Sequence, residues 1–400
     1  MRVISINSVN YGSTGNIMLG ISCIARKHNF KAISCSQIGR SQKKNVPYNY
    51  PIGLIIEKNI SSRINALTGQ NGRLNILGTH MLLSCIHRYS PDLIHIHNLH
   101  NNYVNIPMLF DYAKKHNIPV IWTLHDCWSF TGQCPHFTME KCDKWKTGCH
   151  NCSQYRQYPV AYVDRTKTMW QLKRKWFSGV QNMTIVTPSQ WLADLVKQSY
   201  LKDYPVKVIN NGIDLSIFKP IESTFREKFN ITAKYIVLGV ALGWGKRKGF
   251  DVFLELAKRL EQEYQIVLVG TDDNNDKQLP SNIISIHRTH NPQELAEIYS
   301  SADVLANPTR EENYPTVNME AIACGTPVVT FKTGGSPEIV DNTCGSVVPC
   351  DDIDAFEQEI RRVCSERPFS KDSCLRRAKE HFDMNERFEE YIELYKDILD

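Results

Sequence analysis

Two glutamates separated by seven residues, Glu312 and Glu320, carry the strongest chemical signal in this 400-residue chain. They lie in REENYPTVNMEAIACGTPVVTF, between two apolar runs. Pro315 suits the first helical position, and Gly325 with Pro327 stops the helix. Glu312 then falls in the loop and Glu320 in the first turns, so both carboxylates and the free amides of the helix N-terminus face one site. Such a site holds sugar and ribose hydroxyls beside a phosphate. The plainer alternative is a solvated helix residue and an unrelated loop charge. Two neighbouring segments weigh against it. GWGKRKGFDVFLELAKRL places Lys246, Arg247 and Lys248 at a strand-to-helix turn, where a diphosphate gains charge-assisted bonds. KTGGSPEIV is a Gly-Gly turn that opens another helix at Pro337.

A second constellation is rich in cysteine. CPHFTMEKCDKWKTGCHNC holds Cys134, Cys142, Cys149 and Cys152 within nineteen residues and ends in C-x-x-C. The spacing predicts a four-thiolate structural zinc site, with Cys127, His136 and His150 as alternative ligands. Reduced free thiols or labile disulfides are the competing readings. The chain has 13 cysteines, an odd number, and the rest scatter through apolar segments, which argues against a disulfide framework.

These groups need a scaffold, and the pattern supplies one. RVISI, KAISCSQI, DLIHIHN, PVIWTLHD and MTIVTPS alternate with helical stretches, and YIVLGVAL, QIVLVG, NIISIHR, DVLANPT and TPVVTF do so again further on. That alternation predicts parallel sheets built from βαβ units. Four hundred residues exceed one ordinary core and fit two α/β domains. The expected organisation is an N-terminal Rossmann-like domain over residues 1–205, with a cysteine-rich insert at about 127–152. A C-terminal Rossmann-like domain follows over 206–383, and a final helix, 384–400, is expected to pack back toward the first domain. Open sheets bind ligands at the carboxyl ends of their strands, so the two domains are expected to face a central cleft.

The charge is segregated. Residues 1–200 carry 23 Lys and Arg against 8 Asp and Glu, and residues 201–400 carry 24 against 34. A basic half attracts polyanions or an anionic leaflet. KTMWQLKRKWFSG, with Trp170 and Trp176 among Lys173, Arg174 and Lys175, is the segment that suggests peripheral contact with an anionic membrane; a solvated basic face is the alternative. No run approaches the ~18 apolar residues of a spanning helix, and MRVISINSVNYGSTGN lacks the h-region of a signal peptide. The expected location is the cytoplasm, at the cytoplasmic face of the inner membrane if the lipid contact holds.

Taken in order, NSVNYGSTGN, DLIHIHN, TLHD, VTPSQWLAD, VINNGIDLSIFKP, RKGFD, IVLVG, the E-x(7)-E segment and GGSPEIV resemble the retaining glycosyltransferases of family 4, also called glycosyl transferases group 1. HDCWSFTGQCPH and EENYPTVNMEAIACGTPVV are similar to the branch that builds bacterial capsule, exopolysaccharide or O-antigen chains. The resemblance implies an α/β fold of GT-B type. It also implies transfer, with retention, of a hexose-type sugar from a UDP- or GDP-linked donor to a glycan or polyprenyl-pyrophosphate-linked acceptor. In that reading Glu320 binds the ribose and Glu312 supports the reacting sugar. Lys248, with Arg247, neutralises the leaving diphosphate, and no metal or other cofactor is needed for catalysis. Gly12 and Gly15 approach the phosphates, while Tyr314, Thr316 and Val317 complete the donor site. His125 sits by the donor sugar, and Asp126 orients it or the acceptor. Two departures stand out: Asn313-Tyr314-Pro315 replaces a Gly-aromatic-Gly loop, and Leu242-Gly243-Trp244 replaces a Gly-Arg pair. A nucleotide-sugar epimerase of the same fold is the second reading. A basic nucleic-acid module is the third; it lacks an arrayed aromatic and basic platform or any RNA motif, so no nucleic-acid partner is expected.

Overall fold

The computed structural model describes residues 1–39, 42 and 45–400. The chain divides into two units, Met1–Asn210 with Phe388–Asp400, and Asn211–Arg387. The first carries seven parallel strands: β1 (Arg2–Asn7), β2 (Lys31–Gln37), β3 (Asn49–Ile52), β4 (Leu93–Ile96), β5 (Val120–Thr123), β6 (Met183–Thr187) and β7 (Val206–Val208). Their order is β3-β2-β1-β4-β5-β6-β7. Because β7 pairs with β6 from Ile185↔Val206 to Thr187↔Val208, the unit ends after residue 206 and not before it.

The second unit repeats the design with β8 (Tyr235–Val240), β9 (Tyr264–Val269), β10 (Ile283–Ile286), β11 (Val304–Asn307), β12 (Val328–Phe331) and β13 (Gly345–Val348), in the order β10-β9-β8-β11-β12-β13. Both are doubly wound Rossmann-like sheets. In such sheets the strand order reverses beside the first strand, and ligands bind outside the carboxyl ends at that switch point. The loops after β8 and β11, and after β1 and β4, are therefore the ones to inspect.

Helices cover both faces of each sheet, which is why the strands are apolar on both sides. Ile236 and Leu238 pack on one face with Tyr299, Met319 and Ile322, while Val237 packs on the other with Phe253 and Leu256. From Phe388 on, the C-terminal helix, Met384–Leu399, belongs to the first unit. It buries Phe388, Tyr391, Ile392 and Tyr395 there. Gly20 makes room for it, since a Cβ at Gly20 would stand 2.2 Å from the Phe388 ring.

Candidate active site

At the switch point of the second sheet, the turn after β8 carries Lys246–Lys248 and the loop after β11 carries Arg310–Pro315. Lys248 Nζ and Glu312 Oε2 form an ion pair, with the two side chains 20% and 21% exposed. The residue that fixes this geometry is Arg310, which the sequence reading passed over. Its guanidinium is buried and forks onto Asp251, Nη1 to Oδ1 at 2.7 Å and Nη2 to Oδ2 at 2.9 Å. Nε donates to Asp351 at 2.5 Å, and Nη1 also donates to the Lys246 carbonyl at 2.5 Å. Burial alone would lower the Arg310 pKa, but Asp251 and Asp351 outweigh it and hold the group firmly charged. One buried cation thereby ties the basic turn to the glutamate loop. Arg247 adds a bond from Nη1 to the Glu311 carbonyl at 3.3 Å, and its own carbonyl accepts from the Arg310 amide at 2.9 Å.

The Gly-Gly turn closes over the same loop. Gly334 has φ +52°, and a Cβ there would lie 1.7 Å from the Glu312 carbonyl oxygen. Only glycine permits that approach. The Gly335 amide then donates to the Asn313 carbonyl at 2.8 Å.

The helix after the loop spans Thr316–Ala323, with Pro315 as its N-cap at φ −72°, ψ 116°. Pro315 thus stands one position earlier than expected, and Thr316 and Val317 supply the first helical amides, which have no partner within the helix. Glu320 is half-buried in the second turn and receives a hydrogen bond from the Tyr299 hydroxyl at 2.9 Å. Burial raises its pKa, opposed by the hydrogen bonds of Tyr299 and Thr316. Tyr299 lies on the Pro292–Ser301 helix and is itself fully buried, so it fixes the Glu320 carboxylate from a second helix. The Tyr314 ring, expected at the donor, instead enters the core of this unit, 7% exposed, where burial raises its pKa. What Tyr314 can offer a ligand is its backbone.

The first unit holds a different assembly. His125 and Asp126 follow β5. The His125 ring stacks on His97, centroids 5.4 Å apart, with His125 Nε2 3.1 Å from His97 Nδ1. His97 in turn lies 4.2 Å from His95, whose Nδ1 meets the Tyr395 hydroxyl at 2.7 Å and whose Nε2 meets Thr123 Oγ1 at 2.8 Å. Burial pushes His125 down to about 4 and His95 to about 3, and drives His97 well below its ordinary value. The column is neutral at physiological pH. Asp126 binds His100 at 3.0 Å and accepts from the Trp128 amide at 2.8 Å. Burial pushes Asp126 up, but His100, His136 and that amide outweigh it and hold the carboxyl at about 2. The Asp126 carboxylate is thus engaged with His100, while His97 meets the His125 ring.

Gly12, φ +66°, begins the Gly12–Lys27 helix with open space beside it, so its backbone is approachable. Gly15 faces inward, where a Cβ would stand 2.6 Å from the Asn10 carbonyl carbon. It serves the packing of the helix on its own turn.

Two further expectations meet the structure here. Cys134, Cys142, Cys149 and Cys152 line one small cavity, and the Gly132 amide donates to Cys149 Sγ at 3.1 Å. Among the described residues, however, three ligand atoms within 4.8 Å of one another occur at Asp273, Asp276 and His287 and not among the cysteines. Zinc–sulfur bonds of about 2.3 Å would need the thiols drawn closer together. The Trp-rich basic segment is corrected outright: in the Thr166–Phe177 helix Trp170, Lys173 and Trp176 are all buried. Lys173 donates to the Trp128 carbonyl and lies 3.5 Å from that ring's centroid, and burial lowers its pKa to about 7. The two tryptophans and Lys173 thus belong to the core, while Lys167, Arg174 and Lys175 stay exposed on the outer face.

Comparison with known proteins agrees with this architecture. The model described as Glycosyltransferase Family 4 matches residues 25–217, and that described as Glycosyl transferases group 1 matches residues 234–366. The two matches, one in each unit, define a glycosyltransferase of GT-B fold. More particularly, the chain belongs to the family 4, group 1 glycosyltransferases. It is 24% identical over 326 residues to the putative colanic acid biosynthesis glycosyl transferase WcaC of Escherichia coli, covering 77% of each chain. Sucrose-phosphate synthase from Thermosynechococcus elongatus superposes with TM-score 0.71 at 15% identity, covering 99% of this chain and 98% of that one. Anabaena Alr3699/HepE, solved in complex with UDP-glucose, does so with TM-score 0.70 at 14% identity, covering 99% and 100%. Among the described residues, no helix is long and apolar enough to cross a membrane.

Proposed function

We propose that the chain transfers a hexose-type sugar, with retention, from a UDP- or GDP-linked donor onto a glycan or polyprenyl-pyrophosphate-linked acceptor in cell-surface polysaccharide synthesis. The observation that carries this is the meeting of a basic turn, two carboxylates and a helix N-terminus at the switch point of the second sheet. Glu320, held by Tyr299 and Thr316, presents its carboxylate to the ribose hydroxyls. The Thr316 and Val317 amides and the cations Arg247 and Lys248 take the diphosphate, so the transfer requires no metal ion. Lys248 is paired with Glu312 before the donor arrives. A diphosphate competing for Lys248 frees Glu312 to turn to the sugar and support positive charge at its anomeric carbon. The bond from that carbon to the diphosphate oxygen breaks, and the acceptor oxygen bonds to it on the same face. The acceptor's proton passes to the departing phosphate oxygen. His125, neutral and held by His97, is the first unit's candidate for contact with the reacting sugar. The similarity to WcaC, a putative colanic acid biosynthesis glycosyl transferase, supports the polysaccharide setting.

The test is calorimetry with UDP-, GDP- and ADP-sugars, followed by NMR of the product anomer. Saturable binding of one donor class and a retained anomeric configuration are expected. An inverted product would overturn the mechanism, and isomerisation of the donor without acceptor would favour the epimerase. The cysteine-rich loop is proposed to hold a structural zinc ion that draws the four thiols together, with buried Lys173 offsetting their charge. Metal analysis should return a single equivalent that is lost on Cys149→Ser, and metal-free protein of unchanged melting temperature would contradict it.

A further inference from the structure

The Ile55–Thr68 helix is built inside out. Its buried residues are Ser61 and Asn65, while Ile56, Ile60, Ile64 and Leu67 are 74%, 53%, 41% and 62% exposed. Spacings of four, four and three residues put those side chains on one stripe. The polar face points into the protein, where Asn65 Nδ2 donates to Asn102 Oδ1 at 2.5 Å while Asn65 Oδ1 is buried without a partner. The inward face is therefore committed, and the aliphatic face is left outside.

A second helix extends the surface. Ile76–Tyr89 begins with Ile76 and Leu77 exposed, and Met81 follows one turn later. Glu57 joins the two helices, because its carboxylate oxygens accept from the Leu77 and Gly78 amides at 2.8 Å each. Gly78 lies so close to Gly53 that a Cβ would stand 2.8 Å from the Gly53 Cα. The stripe of the first helix and the exposed start of the second are thus neighbours. Contiguous apolar surface of this extent on a soluble fold marks an interaction site.

Charge says what covers it. Residues 54–89 contain Lys58, Arg63, Arg73 and Arg88 but only one acidic residue, Glu57, whose carboxylate is already used to cap the second helix. An aliphatic stripe rimmed by cations, on a helix that can lie flat, suits the boundary of an anionic bilayer, where apolar burial and headgroup attraction add. We propose that the Ile55–Thr68 helix and the start of the Ile76–Tyr89 helix rest on an anionic lipid leaflet. The proposal stands apart from the choice of sugar, and it moves lipid contact from the buried Thr166–Phe177 helix to a surface the sequence reading did not single out.

The experiment is flotation of the full chain with phosphatidylglycerol-containing and pure phosphatidylcholine vesicles. The wild type should float with the anionic vesicles and do so less as salt rises. Ile56→Gln with Ile60→Gln should lower that binding at least tenfold, with melting temperature and donor binding unchanged, and Arg63→Gln should lower it less. Wild type that fails to float, or a double variant that floats equally well, would overturn the proposal. So would light scattering that shows a dimer which the double variant dissociates, since the surface would then belong to a second copy.

Discussion

The switch points of the two sheets hold opposite kinds of side chain. In the second unit Lys248, Glu312, Arg310, Asp251 and Asp351 form a web of ion pairs that is partly open to water. In the first, His95, His97 and His125 stack as a neutral column that burial keeps from taking up protons. Both belong to Rossmann-like sheets of the same strand order. The two sheets share a plan, and the loops decide which side chains meet at its switch point: paired charges in one unit, a neutral histidine column in the other.

The largest effect should come from the charged side of this contrast. Glu312→Ala should reduce turnover on the order of 100-fold or more, read as kcat in a donor-consumption assay, with donor affinity changed far less. Equal loss in KM alone would assign Glu312 to ground-state binding. Arg310→Ala should follow, destabilising the protein by about 2 kcal/mol in urea unfolding as the forked bonds to Asp251 and the tie to Lys246 are lost. Arg310→Lys should not restore it, because an ammonium cannot span both partners.

The neutral column predicts a pH effect of definite sign. His125 and His95 titrate at about 4 and about 3 in the folded protein, below the ordinary histidine value of 6.5. The unfolded chain therefore binds more protons than the folded one as pH falls through about 6.5, and stability should decline from there down to about 3. Stability above pH 6.5 should be unaffected by these groups. Melting temperatures measured across pH 4 to 7 check this, and His95→Phe should flatten the slope. A smaller effect is expected from Tyr299→Phe, which removes one hydrogen bond to Glu320 and should weaken donor binding about tenfold. Catalysis at saturating donor should be nearly unchanged.

Much of the scaffold was legible. Runs such as YIVLGV and QIVLVG are apolar on both faces because helices cover both sides of a parallel sheet, and they became β8 and β9. The paired glutamates could be read from their spacing and the helix punctuation around them. Tertiary partners were not legible. Nothing local announces that Arg310 reaches Asp251 and Asp351, or that Tyr299 reaches Glu320 from another helix. The same limit applies to two helices, one read with the wrong face outward and one not singled out. KTMWQLKRKWF reads as an exposed basic face until the Trp128 carbonyl and ring accept Lys173, and IIEKNISSRINALT has two faces whose inward choice is set by Asn102, far away in the chain.

The central claim is that Glu320, fixed by Tyr299 at the start of the Thr316–Ala323 helix, holds the donor nucleotide. Titration of wild type and Glu320→Ala with the preferred nucleotide-sugar by calorimetry addresses it directly. Saturable binding to the wild type, weakened at least tenfold in a variant that melts normally, is the predicted result. Undiminished binding to a folded Glu320→Ala variant would contradict the account and place the nucleotide elsewhere.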